Sequence, residues 1–177
     1  MLALYQTQNL DGYLDETFYD FSPYIGKQKT DPFYTWYADI FFLNRKKQIV
    51  LTNALTKFTF HIFNYSKSQF PRFETAFGFY FYFALGMYDL DPGPYMDSAD
   101  GFVLTSRINR SALAHLSWLK RQHVPLVKNG TYDLANAKDQ ANYNYFVNYR
   151  TAKIPGSSKE SHIMDTWILE LEKRDLT

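Results

Sequence analysis

Arg107, Asn109 and Arg110 stand within four positions of one another where a helix is predicted to begin, and that grouping can hold an anion. A helix start presents backbone N–H groups that no carbonyl within the helix accepts. Two guanidiniums beside them would grip a phosphate or a carboxylate. Lys120 and Arg121 follow about ten residues later, roughly 15 Å along a helix, so they extend a basic stripe and do not close the same site. The competing reading is a set of solvated ion pairs with nearby aspartates. Asp39 is a second candidate: a lone carboxylate beside Trp36, able to serve as an acid or base, or else to pair with Arg45 or cap a turn. Asp89, Asp91, Asp97 and Asp100 offer oxygen donors, but Pro92, Gly93 and Pro94 interrupt them and the spacing is not that of a calcium loop. His61, His115, His123 and His162 lack zinc-ligand spacing. No nucleophile elbow and no phosphate- or dinucleotide-binding glycine pattern occurs, so no catalytic set, cofactor or metal is expected.

The elements that must position these groups are uneven in clarity. Residues 36–63 hold three β-rich runs separated by Asn44-Arg45-Lys46-Lys47 and Thr52-Asn53-Ala54-Leu55, the pattern of an antiparallel meander. Within the last run Phe58, Phe60 and Ile62 alternate against Thr59, His61 and Phe63, which gives the strand one apolar face. Spacings of three and four among Phe70, Phe73, Phe77, Tyr80, Phe81, Ala84, Leu85 and Tyr88 predict an aromatic helix over about 67–89, with Ser68 as its cap and a central, buried place. Residues 101–106 predict a short strand. A helix follows from Asn109 or Ser111 to about Gln122, and another over 160–173 carries Trp167 on its apolar stripe. Residues 133–150 fit either a helix or a helix followed by a strand. Residues 1–31 show no periodicity and read as an irregular segment. The expected architecture is one α+β domain over 1–177, its meander (about 33–63) packed against the aromatic helix and two further amphipathic helices, with 157–177 as a C-terminal helix.

Composition narrows the function. A chain of 177 residues is long enough for its own core, and without cysteine it has neither disulfides nor thiolate chemistry. Formal net charge is +1, too balanced for a protein that coats nucleic acid, although a local basic patch remains open. No run approaches the roughly 20 apolar residues of a membrane span, and the N-terminal residues do not read as a signal peptide, so a cytoplasmic location is expected. The outstanding excess is aromatic: 15 Tyr, 16 Phe and 3 Trp. Tyrosine buries area at low entropic cost while keeping a polar tip, which suits a contact surface. Codon bias in an AT-rich genome gives the same excess.

Trp36-x-Ala38-Asp39-Ile40-Phe41, then Asn44-Arg45-Lys46-Lys47, Leu51-x-Asn53 and Thr56, resemble the signature of a small bacterial domain family of unknown function. That family typically reads Trp-His-Ala-Asn-Leu-Phe, an Arg-Lys turn, and a strand ending near Asn and Thr. Residues 107–116 resemble its second block, typically Asn-Arg-Ser-Val-Leu-Gly-Ser-Met-Asn. The resemblance spans about 33–121; Tyr37 stands where the family has His, Asp39 where it has Asn, and Ala114 where it has Gly. It implies structural roles for Trp36, Asp39, Arg45 and Asn53 and is silent on activity.

The function expected is therefore that of a non-enzymatic accessory protein of bacterial or phage origin that binds another protein, an inhibitor of a defence protein being one form. Its contacts would be exposed aromatics and the Arg107, Asn109, Arg110, Lys120 and Arg121 region. The alternative is a nucleotide- or nucleic-acid-binding protein or enzyme built on that arginine-lined anion site, with Asp39 or His115 moving protons. A homodimer through the C-terminal helix is the third possibility.

Overall fold

The computed structural model describes residues 1–10, 30–43, 45–99, 101–105, 108–153 and 159–177, together with the backbone but not the side chain of His123. Arg107, Asn44 and Asp100, and the break at 155–158, lie outside the described residues. A five-stranded sheet organises the fold in the order β4-β3-β2-β1-β5, built from β1 (Leu2–Gln6), β2 (Thr35–Leu43), β3 (Lys46–Asn53), β4 (Thr59–Tyr65) and β5 (Phe102–Leu104). The expected meander is β2-β3-β4, antiparallel throughout. The first residues are not irregular as expected. Leu2, Ala3 and Leu4 form a central strand, parallel to β2 on one side and β5 on the other, and all three are buried.

The period-two alternation of the strands gives this sheet two unlike faces. In register across β2, β3 and β4 run Ala38–Leu51–Phe60 and Ile40–Ile49–Ile62, with Trp36 on the same face. The intervening rows are Tyr37–Thr52–Thr59 and Asp39–Val50–His61. Helix α1 (Phe73–Gly86), the short α2 (Gly93–Ser98) and the C-terminal helix contribute to the first face. There Trp36 meets Phe60, Phe77 and Phe81 edge-on, with ring centroids 5.3, 5.5 and 5.6 Å apart. Each such pair adds about 0.5–1.5 kcal/mol beyond the area it buries. The mixed α+β class thus follows from an aromatic cluster laid on one side of the sheet. Helix α1 begins later than its periodicity suggests, at Phe73 with Arg72 as N-cap, because Pro71 is left outside it and Ser68 caps nothing. Nor is α1 surrounded: Phe73, Ala76, Phe77, Tyr80, Phe81, Ala84 and Leu85 are buried, while Phe79 and Tyr82 project to solvent at 57% and 47% exposure.

Helices α3 (Arg110–Lys128) and α4 (Ala137–Asn148) cover the second, more polar face and the edge of β4. The ambiguous segment 133–150 is thus largely helical. Helix α3 outruns its expected end at Gln122, passing through Pro125 to Lys128. Asn148 on α4 accepts from the Thr59 N–H at 2.8 Å and donates to the Thr59 carbonyl at 2.7 Å. One turn earlier, Asn144 accepts from the His61 N–H at 3.1 Å. Two side-chain amides therefore take the place that another strand would occupy along β4.

A two-stranded hairpin, β6 (Thr151–Lys153) with β7 (Glu160–His162), leads into α5 (Ile163–Glu172). Residues 160–162 were expected to open the helix and instead extend as β7. Trp167 of α5 is fully buried, its ring 4.9 Å from Phe58 and 5.9 Å from Trp36. The apolar stripe of the C-terminal helix is spent on this chain's own core, so it is not a free dimer face. Among the described residues no helix is long and apolar enough to cross a membrane.

Candidate functional site

The two sequence blocks that carry the family resemblance come together in space. The first ends in the turn joining β3 to β4, residues 54–58, which Asn53 shapes: its side-chain oxygen accepts from the N–H of Leu55 and of Thr56, each at 3.0 Å. Its amide donates to the Phe33 carbonyl at 2.8 Å. That carbonyl also accepts from Tyr95, whose hydroxyl in turn accepts from the Trp36 indole N–H, both at 2.9 Å. Trp36 and Asn53 are thus joined in one buried hydrogen-bonded network that fixes the turn against the sheet. The second block supplies the start of α3, where the Asn109 side chain accepts from the Ala112 N–H at 3.1 Å as the N-cap.

Two cavities open where turn and helix start meet. One, of about 290 Å³, is lined by Thr35, Tyr37, Ala54, Ile108, Asn109 and Arg110, among others. The other, of about 360 Å³, is lined by Lys57, Ser111, His115, Trp118, Arg150 and Glu160, with Thr151, Ala152 and Lys153 of the hairpin. The turn gives Ala54 to the first and Lys57 to the second; α3 gives Arg110 to the first and Ser111 to the second.

Lys57 is the unusual residue. It is 1% exposed, and its backbone sits in the left-handed region at φ 66°. Its ammonium donates to the Ala54 carbonyl at 2.6 Å, and among the described residues it has no carboxylate partner. Burial of the charged form pulls its pKa down from 10.5 to about 8. His115 lies one helical turn after Ser111, its Nε2 3.5 Å from the Thr59 hydroxyl. Burial, and then the charge on Lys57, push its pKa down to about 4, so the ring is neutral near pH 7. Thr59 donates to the Lys57 carbonyl at 2.9 Å, tying the cluster to the polar face of the sheet. Arg150 stands over the rings of Phe146 and Trp118, its guanidinium carbon 4.5 and 5.1 Å from their centroids. The one acid in the lining, Glu160, accepts from the Thr151 hydroxyl at 2.8 Å.

The residues singled out from the sequence divide among several places. Asn109 and Arg110 share the smaller cavity. Lys120 is not with them: its ammonium holds Asp39 at 2.7 Å and the Ile40 carbonyl at 3.3 Å. Asp39 also accepts from Thr7 at 2.6 Å, so this carboxylate is a structural partner of Lys120 rather than of Arg45, which lies exposed in the β2–β3 turn. The two lie 81 positions apart, beyond the reach of local pattern. Arg121 is exposed farther along α3. Asp89 and Asp91 precede α2 and Asp97 lies within it; among the described residues no three metal-ligating side chains cluster. Sequence reasoning missed Lys57, Arg150 and the hairpin. The available signal was a lysine placed between Ala54-Leu55 and the apolar face that begins at Phe58.

Part of the aromatic excess reaches the surface in order. Tyr88, Tyr145 and Tyr149 stack in sequence, with centroids 5.2 and 5.7 Å apart and planes 19° and 15° from parallel.

The chain matches the family described as a domain of unknown function, DUF6933, over residues 7–164, and it belongs to that family. The match is wider at both ends than the stretch on which the resemblance rested. No curated protein and no solved structure matches it.

Proposed function

We propose that this protein binds a small anionic ligand, a carboxylate or a phosphate ester, in the cavity floored by Lys57 and His115. The observation that carries the reading is an ammonium buried with a carbonyl as its acceptor, in a cavity also lined by Arg150 and Lys153. A buried charge is costly until it meets an opposite one, and a ligand supplies what the described residues do not. The volume of about 360 Å³ suits a small molecule or a single nucleotide headgroup and not a duplex. Ser111 adds a hydroxyl, and neutral His115 adds a donor or acceptor. This reading keeps the arginine-lined anion chemistry weighed from the sequence and assigns it to Arg150 instead of the Arg107 and Arg110 region.

The test is thermal denaturation with phosphate, pyrophosphate, pyruvate and a nucleoside monophosphate, each at low and high salt, on the wild type and on Arg150→Ala and Arg110→Ala. An anion that raises Tm in the wild type and in Arg110→Ala but not in Arg150→Ala supports the reading. Loss of the effect in Arg110→Ala alone moves the ligand to the smaller cavity; no effect from any anion ends the proposal.

A second reading rests on the tyrosine stack. Tyr145 and Tyr149 are 41% and 68% exposed, and such rings give a protein contact much area for little lost entropy. Binding of another protein there, in a bacterial or phage-infected cytoplasm, is compatible with a ligand in the cavity. Tyr145→Ala and Tyr149→Ala should release a partner captured by the wild type and leave ligand-induced stabilisation intact.

A further inference from the structure

We propose that the Lys57 amine condenses reversibly with the carbonyl carbon of a small 2-oxo acid whose carboxylate is held by Arg150. The inference rests on the anion-binding reading and names its substrate class. Three geometric facts carry it. Lys57 lines the cavity with its ammonium on the Ala54 carbonyl of the turn, and among the described residues it has no carboxylate to hold it in the charged form. His115 lines the same cavity, its Nε2 3.5 Å from the Thr59 hydroxyl, and is the titratable ring to which the proposal gives the proton relay. Arg150, clamped on Trp118 and Phe146, is a stationary cation in the same lining, the group that a carboxylate beside the reacting carbonyl would seek.

The chemistry balances without any further reactant. Nitrogen of the neutral amine attacks the carbonyl carbon, the C–O π bond opens, and one amine proton passes through His115 to the new alkoxide, giving a carbinolamine. The nitrogen lone pair then expels the hydroxyl, which leaves as water on taking a proton that solvent supplies through His115; the remaining N–H proton returns to solvent, giving the neutral imine with no net change in protons. Water reverses the sequence. The depressed pKa of Lys57 favours the first step: near pH 7.5 about a quarter of the amine is free, against about a thousandth of an ordinary lysine.

The experiment treats the whole protein with glyoxylate, pyruvate or propanal, traps imines with borohydride, and maps the modified lysine by mass spectrometry. The expected result is modification at Lys57 before any exposed lysine, at least tenfold faster with glyoxylate than with uncharged propanal. That preference should fall toward unity in Arg150→Ala, and the adduct should vanish in Lys57→Met. Adducts spread over exposed lysines with Lys57 untouched overturn the inference, and peptide mapping of the wild type shows this even where a variant fails to fold. Pyruvate is also followed by thermal shift. Stabilisation without an adduct at Lys57 overturns imine formation while leaving anion binding standing, whereas neither effect removes both.

Discussion

Replacing Lys57 by methionine tests the central physical claim, that an ammonium is buried here at a cost. Methionine keeps most of the length and apolar volume while removing the charge. The unfolded chain holds the lysine proton up to about pH 10.5, whereas the native protein releases it near pH 8. Between those values the unfolded state binds more protons, so native stability must rise with pH; below pH 8 the full penalty of burying the charge is present. At about 1.4 kcal/mol per pH unit, the whole window is worth about 3 kcal/mol, of which about 2 kcal/mol falls between pH 7.5 and 9.5. Tyr95 and Tyr143 set the upper limit of the measurement. Burial holds both phenols above their ordinary range, so above about pH 10 the unfolded state loses protons that the native state keeps, and stability falls again. Urea unfolding at intervals from pH 7.5 to 9.5 should show wild-type stability climbing by about 2 kcal/mol, a midpoint shift on the order of 1 M. Lys57→Met should be flat over that range. Near pH 7.5 it should be no less stable than the wild type, because relief of the buried charge offsets the lost bond to Ala54, worth about 1 kcal/mol. A flat wild-type profile, or a variant that keeps the climb, would refute the reasoning.

Three further outcomes are expected. His115 titrates in the native protein near pH 4 rather than 6.5, so its contribution is complete above pH 6.5 and is lost as pH falls toward 4; His115→Gln should lessen the acid-side decline by about 2 kcal/mol, read from urea midpoints at pH 7 and about pH 4.5. Asn148→Leu should cost about 2–4 kcal/mol, because it strips partners from both the N–H and the carbonyl of Thr59, and calorimetry that finds less than about 0.5 kcal/mol would reject the edge-capping role. Asp39→Asn should cost under about 1 kcal/mol by keeping acceptors for Thr7 and the Ile40 N–H, whereas Asp39→Leu should cost about 2–3 kcal/mol because it removes those acceptors as well as the partner of Lys120; equal losses would mean that the charge alone matters.

Local pattern made some of this molecule legible and long-range packing concealed the rest. The meander could be read because Phe58, Phe60 and Ile62 alternate with polar residues and the turns carry their own markers. The centre of the sheet could not, because Leu2-Ala3-Leu4 is too short to show a period and its partners lie in strands distant along the chain. The start of α3 was legible to within two residues, as Asn109 or Ser111, since capping is settled by near neighbours; the structure makes Asn109 the cap. Lys57 was not, because only the packing of α3 and the hairpin over the turn reveals that its ammonium is enclosed. Lys120 looked like part of a basic stripe until folding placed Asp39 beneath it.

The amides of Asn144 and Asn148 close the open side of β4, and that closure arrives late. A ribosome delivers β4 well before α4, so for an interval the nascent sheet carries an unsealed margin of backbone donors and acceptors. Chaperone engagement, or rapid docking of residues 137–148, has to cover that interval. A product cut short before Ala137 would keep the margin permanently. Such a fragment should assemble into oligomers through β4 rather than persist as separate truncated chains.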